Sequence, residues 1–294
     1  MEHEQFQNNK SVCEGNPHII KVFMYHRIVE DERLSRSYWT CVHVQEFRKQ
    51  LQLLDHWGYT PITFNDYKLF CDGELNLPRK PVIFTFDDGY LDTYELAFPL
   101  MKEFGMKGVV FVLGDRSIKT NEWDCSLGLA ATPLMEGHHI VEMHAAGFEI
   151  GSHSMSHPKL PMLTKEKAWE EISRSRIVLE ILLNSPVKTF SYPYGLLTNL
   201  TGKLVANAGF TFACSVYTGS PTFGVEPYQI RRLTIKNSTG PLSFGIMLRT
   251  PYQYFDWLRW KAGCAIADLK KGNEGITMNF EDENSTVLNI SKLK

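Results

Sequence analysis

Residues 81–114 read "PVIFTFDDGYLDTYELAFPLMKEFGMKGVVFVLG". The stretch opens on a β-branched and aromatic run, Val82 to Phe86, long enough for one buried strand. Two adjacent carboxylates follow, Asp87 and Asp88, and then a segment with helical spacing that Gly105 closes. A further apolar run, Val109 to Leu113, comes directly after. Strand, helix and strand in this order form one β-α-β unit. With both strands apolar throughout, the unit implies a parallel sheet with its helices outside.

The alternation continues in both directions. Upstream, "IIKVFMYHRI" (19–28) reads as a buried strand ending in Tyr25, His26 and Arg27. "HVQEFRKQLQLLDHWGY" (43–59) reads as a helix with Phe47, Leu51 and Leu54 on one face and Gly58 at its close. Downstream, "LMEGHHIVEMHAAGF" (134–148) predicts a helix that leads into the strand "FEIGS" (148–152). "LTKEKAWEEISRSRIVLEILL" (163–183) predicts a long amphipathic helix with Thr164 as N-cap. "VKTFSYPYG" (187–195) is a strand and turn, and 197–216 a helix, a Gly209 stop and a strand. "YQIRRLTI" (228–235) predicts a late strand, and "PYQYFDWLRWKAGCA" (251–265) a closing, aromatic-rich helix. Residues 1–17 read as a flexible arm and 268–294 as a tail or edge segment carrying "STVLNIS". A single α/β catalytic domain over residues 18–267 is expected. Reactive residues in such folds gather at the carboxyl ends of strands. Those positions here hold His26, Asp87–Asp88, His153 and Tyr192–Tyr194.

Composition narrows the function. In 294 residues the net charge is −2, which offers no basic field for nucleic acid or an anionic membrane face. No run approaches the ~18 apolar residues of a membrane span, and the polar N-terminus has no signal-peptide pattern, so a cytoplasmic location is expected. The six cysteines show no C-x-x-C pairing, which excludes zinc knuckles and thioredoxin-like motifs and predicts reduced, buried thiols. None of the ten histidines follows His157, so histidine chemistry must come from the first part of the chain.

Strand alternation buries one or both of Asp87 and Asp88, where an unpaired carboxylate is costly. A metal ion relieves that cost, and so does a helix N-terminus with one aspartate as cap. Capping explains one aspartate but not two side by side. "GFEIGSHSMSHPKL" (147–160) sets His153 and His157 four residues apart. If 153–157 form a helical turn, both rings share one face and reach one cation. With one carboxylate they make the three-ligand set of a catalytic zinc site, leaving a position for water. The H-x-x-x-H spacing alone favours two ordinary polar residues; joined to the strand-end aspartates, the balance reverses towards metal.

Three motifs, "TFDDGY" (85–90), "GSHSMSHP" (151–158) and "SYPYG" (191–195), resemble in order and approximate spacing those of the polysaccharide deacetylases, carbohydrate esterase family four. The resemblance implies a distorted (β/α)-barrel and metal-dependent removal of an acetyl group from an N-acetylated sugar, the expected partner. By motif match Asp87 would be the general base, and Asp88, His153 and His157 the ligands of a divalent cation. Zinc is the first expectation, with nickel and cobalt also suited to such ligands. The backbone N–H of Tyr194 would hold the oxyanion, and Ser154 and Ser156 would shape the histidine loop. Without a signal peptide, a nucleotide- or lipid-linked glycan is expected before a finished wall polymer.

Two departures stand out. The family's third motif begins with an arginine that pairs with the catalytic aspartate, and this chain has Ser191 there. Arg231 or Arg232 is the candidate replacement. The family's late acid histidine is also missing. "VFMYHRI" resembles the first strand of a circularly rearranged branch that includes exopolysaccharide N-acetylglucosamine deacetylases, which makes His26 the proton donor; a hydrogen-bonded surface histidine is the plainer alternative. Trp123 suits either a sugar contact or ordinary packing, and "PYQYFDWLRW" reads as a packing helix rather than a sugar platform. Two other readings remain: an allantoinase-like hydrolase of a cyclic amide, which the intact Asp-His-His set disfavours, and a non-catalytic sugar-binding protein, which Ser191 keeps open.

Overall fold

The computed structural model describes residues 19–127 and 130–273. The expected arm (1–17) and the "STVLNIS" segment lie outside the described residues. Along the chain, β1 (Lys21–Tyr25) and β2 (Arg27–Val29) lead to α1 (Glu32–Ser37), β3 (Cys41–His43) and α2 (Val44–His56). Next come β4 (Thr60–Ile62), α3 (Phe64–Cys71), β5 (Pro81–Phe86), a π-helical turn at Thr93–Ala97 and α4 (Phe98–Glu103). β6 (Val109–Val112), α5 (Gly137–Ala145), β7 (Glu149–Ser152) and α6 (Lys165–Leu183) form the middle. β8 (Thr189–Ser191), α7 (Asn199–Asn207), β9 (Phe212–Cys214), β10 (Leu233–Thr234), α8 (Pro241–Arg249) and α9 (Tyr252–Asn273) complete it.

The main sheet is parallel, in the order β10-β1-β5-β6-β7-β8-β9, with β4 alongside the first half of β5. A bridge between Cys214 and Ile230 draws the two ends together, so the sheet curls into a distorted (β/α)-barrel in one domain. β2 and β3 form a small parallel pair beside it.

Period-two alternation sorts the strand residues between two apolar clusters. Val22, Ile83, Val109, Phe111, Phe212 and Cys214 fill the barrel interior. Phe23, Phe84, Val110, Ile150, Phe190 and Ala213 face the helices, against Phe47 and Leu51 of α2 and Ile172 of α6. Burying each such side chain stabilises the fold by roughly 1.5–3 kcal/mol. Gly151 takes an interior position because a Cβ there would meet the Phe111 ring at 2.5 Å.

Register then delivers the strand ends to one rim. Tyr25 pairs with Phe86, so His26 and Asp87 emerge side by side, and the Asp87 N–H donates to the Tyr25 carbonyl at 3.0 Å. Val112 pairs with Ser152, which sets His153 on the same rim, and Ser191 pairs with Cys214. In β5 the interior series Ile83, Thr85 continues to Asp87.

Several local expectations are corrected. Residues 153–157 are not a helical turn: Ser154 (φ +67°) and His157 (φ +63°) both adopt left-handed backbone. The late strand shrinks to Leu233–Thr234 because the chain before it is held to β9 by the single bridge at Ile230. β4, α3 and α8 were not foreseen. Cys41 and Cys214 are buried free thiols, but Cys71 is disulfide-bonded, against the expectation of reduced thiols throughout. Among the described residues no helix is long and apolar enough to cross a membrane.

Candidate active site

Asp87 and Asp88 stand at the end of β5, and neither caps a helix. Asp88 adopts φ +71° and is followed by Gly89 at φ +72°; this tight reversal sends the two carboxylates to different partners. Asp88 Oδ1 lies 3.2 Å from His153 Nε2 and 3.2 Å from His157 Nε2. All three residues are buried, and their ligand atoms lie within 4.8 Å of one another.

The tautomer of His153 follows from its other nitrogen. Nδ1 is 2.7 Å from the Ser191 carbonyl, which can only accept, so Nδ1 carries a proton and Nε2 is the nitrogen turned to Asp88, the atom a cation would take. Two imidazoles and a carboxylate converging in a dry corner are the donor set of a divalent cation. Burial pushes the Asp88 carboxyl up, but the two histidines outweigh it and hold it well below the usual range.

The loop that brings His157 back is tied at each turn. The His157 N–H donates to Ser154 Oγ at 3.0 Å. Ser156 donates its N–H and its hydroxyl to the Glu171 carboxylate of α6 at 2.9 and 2.7 Å. Trp123 stacks on the His157 ring at 4.4 Å, and the Tyr194 ring lies 4.6 Å from it. Glu171 carried no sequence signal, since it reads as an ordinary solvent-facing residue of a charged helix.

Asp87 is held differently. Arg232 donates Nη1 to its Oδ1 at 2.6 Å and Nη2 to its Oδ2 at 2.7 Å. The same guanidinium donates to the Ser215 carbonyl (2.9 Å), Thr85 Oγ1 (3.1 Å) and Ser191 Oγ (3.0 Å). These are the five donors of an arginine, all in use in a fully buried side chain. Burial alone pushes Asp87 up, but the guanidinium outweighs it and keeps the carboxyl below its ordinary range. Arg231, the other sequence candidate, points away and pairs with Asp256 at 2.6 Å. Ser191 therefore leaves space that an arginine from further along the chain fills.

His26 sits where β1 ends, its ring 6.0 Å from Trp39 and its Nδ1 buried without a hydrogen-bond partner. It contributes to holding both Asp87 and Asp88 low, which places it within electrostatic reach of the pair. Tyr194 adopts φ +59° in the turn Pro193–Gly195 at the end of β8, half-exposed at the mouth. Asp88, Ser154, His157 and Tyr194 are four of the five non-glycine residues with positive φ among the described residues, so backbone strain concentrates at this site.

Several known proteins are similar to the chain in sequence and fold. The family model of the polysaccharide deacetylases matches residues 74–213. The chain is 25% identical over 239 residues to YxkH of Bacillus subtilis, named for the polysaccharide deacetylases, covering 80% of this chain and 77% of that one. It is 22% identical over 202 residues to the poly-β-1,6-N-acetyl-D-glucosamine N-deacetylase of Staphylococcus epidermidis, covering 66% and 67%. The solved Streptococcus pyogenes deacetylase PplD superposes with a TM-score of 0.67 at 23% identity, over 79% of this chain and 98% of that one. IcaB from Ammonifex degensii gives 0.65 at 22% identity over the same shares, 79% and 98%. The fold is that of a carbohydrate deacetylase. Over residues 74–213 the chain is similar to the polysaccharide deacetylase family.

Proposed function

We propose that the protein is a metal-dependent N-deacetylase acting on an N-acetylated sugar chain. The observation that carries the reading is the division of labour between the adjacent aspartates: Asp88 turned into the two histidines, Asp87 clamped by Arg232. Asp88, His153 and His157 hold the cation, which when bound supplies Lewis acidity and a water acidic enough to ionise near neutral pH. Zinc suits the set, with nickel and cobalt as alternatives.

The chain's own groups account for the rest of amide hydrolysis. Asp87, kept ionised by Arg232, accepts the proton of the attacking water. The Tyr194 N–H stabilises the oxyanion of the tetrahedral intermediate. His26 protonates the departing amine, so that the sugar leaves as a neutral nitrogen. Ser191 and the Ser215 carbonyl keep the guanidinium from drifting, which fixes the direction of the Asp87 lone pairs. With Arg232 in place beside Asp87, the missing motif arginine no longer favours a non-catalytic sugar-binding protein.

The test is acetate release from β-linked N-acetylglucosamine oligomers by purified protein, with metal analysis and with or without chelator. The expected result is about one divalent ion per chain, and acetate release that chelator abolishes and added zinc restores. Absence of both metal and acetate release would overturn the proposal.

A further inference from the structure

Beside the catalytic rim lies a cleft of about 630 Å³ that the proposed chemistry does not use, a size typical of ligand-binding sites. One side is α9, where Trp257 and Trp260 stand one turn apart, both half-buried. The other side is polar: Asn199 at the start of α7, then Thr218, Glu226 and Gln229 from the segment between β9 and β10. Contrary to the packing helix expected from sequence, these two tryptophans line open space.

Three features show that the cleft is built rather than incidental. Gly219 adopts φ +87°, and a Cβ there would meet the Gln229 carbonyl at 1.8 Å, so the polar wall closes tightly on itself. Arg231, anchored to Asp256 and the Tyr217 carbonyl, lies 5.5 Å from the Trp260 ring and fixes its position. Thr218 Oγ1 is buried within this wall and has no hydrogen-bond partner, although such atoms are normally satisfied.

The chemistry of the lining selects the ligand. Two indoles offer flat apolar surface for the C–H faces of a sugar ring, and a hydroxyl, an amide and a carboxamide offer partners for its hydroxyls. Charge is nearly balanced. Glu226 is engaged by the Ser220 N–H at 2.6 Å, and the Lys261 ammonium hovers 5.6 and 5.7 Å from the two indoles on a flexible stem. That lining favours a neutral, hydroxyl-rich ligand over an anion. Continuity with the catalytic centre sets its direction. Leu197, which lines the cleft, follows the Tyr194 turn, and Thr218 follows Ser215, whose carbonyl holds Arg232.

The geometry points to a distal sugar-binding subsite: the cleft takes further units of a neutral N-acetylhexosamine polymer whose reacting unit sits at the Asp88 corner. This inference rests on the proposed deacetylase reading, and it replaces the expected nucleotide- or lipid-linked intermediate with an extended chain as substrate.

The test compares N-acetylglucosamine oligomers of different length. By calorimetry on chelator-treated protein, in which turnover does not deplete the ligand, a hexamer is expected to bind about tenfold more tightly than a dimer. Trp260→Ala should remove that advantage while leaving dimer affinity unchanged. Phe255→Ala, an exposed aromatic of α9 outside the cleft, should change neither. In kinetics of the loaded enzyme, Trp260→Ala should raise KM for the hexamer with kcat preserved. Should Trp260→Ala fail to fold, Trp260→Phe and Thr218→Val carry the test: the first keeps much of the length preference, the second weakens hexamer binding alone. Equal binding of dimer and hexamer, or equal loss of both in Trp260→Ala, would overturn the subsite while acetate release left the deacetylase reading intact. Length-dependent binding without any acetate release would uphold the cleft and remove the deacetylase reading instead.

Discussion

Replacing Arg232 with methionine removes a buried positive charge and leaves Asp87 in place. Arg232 is 0% and Asp87 5% exposed at the side chain, so water cannot substitute for the lost partner. Breaking such a pair from one side costs roughly 3–5 kcal/mol, whereas replacing both partners by apolar groups of similar size is close to neutral. For a domain of this size the single substitution corresponds to a fall of roughly 6–20 °C in Tm. Asp87→Leu on top of Arg232→Met should recover most of it. The pH dependence has a definite sign. In the wild type the folded carboxyl ionises below its ordinary value of 3.8, so the pair's stabilisation is fully present above that value and is lost as pH falls through the folded value. In Arg232→Met the upward push of burial is opposed only by the lesser contributions of His153 and His26, so the carboxyl takes up its proton more readily and the deficit shrinks on acidification. Urea denaturation followed by tryptophan fluorescence at pH 7 and pH 5 measures both effects. A deficit under about 1 kcal/mol at pH 7, or a double variant no more stable than the single one, would refute the reasoning.

Other perturbations probe the same centre. Ser191→Arg forces a second guanidinium into a fully buried position and should destabilise the protein, whereas Ser191→Arg with Arg232→Ser should recover stability and acetate release together. His153→Ala and Asp88→Asn should each lose bound metal, read by elemental analysis after dialysis; retention of a full equivalent would mean that the cation sits elsewhere. His26→Ala should keep the metal and the melting temperature but lower kcat by about 10²–10⁴-fold, and full activity would remove His26 as proton donor. Gly151→Ala should cost about 1–3 kcal/mol through the collision with Phe111, visible as a lower urea midpoint with unchanged slope.

Much of the architecture was legible because β5 and β6 are apolar on both faces, a pattern that only a covered parallel sheet satisfies. What escaped was held by long-range contacts. Lys21 interrupts an apolar strand for no local reason; its ammonium donates to the carbonyls of Met247, Leu248 and Thr250 at the end of α8, a helix that also went unread. α8 did carry a signal, Pro241 at its first position after Gly240. At the site, the residue types were readable but their backbone was not. Ser154 and His157 take left-handed conformations that non-glycine residues seldom adopt, so even spacing suggested a helical turn where a strained loop stands. The choice between Arg231 and Arg232 was likewise closed to sequence. Adjacent residues point to opposite sides, and only the register of β10 on β1 tells which side faces the barrel.

The clamp on Asp87 also carries a lesson about the order in which the protein is made. The carboxylate and its guanidinium are 145 residues apart in the chain. A ribosome therefore releases both aspartates and both histidines well before the arginine that balances one of them. Until β10 docks beside β1, the nascent barrel holds a cluster of acidic and imidazole groups without that counter-charge. A chain cut after β9 retains the whole span matched by the family model and the Asp88, His153 and His157 cluster, yet lacks the guanidinium that holds Asp87. Boundaries drawn from the matched motifs alone would thus yield a fragment that keeps the Asp88, His153 and His157 cluster but lacks the partner of Asp87.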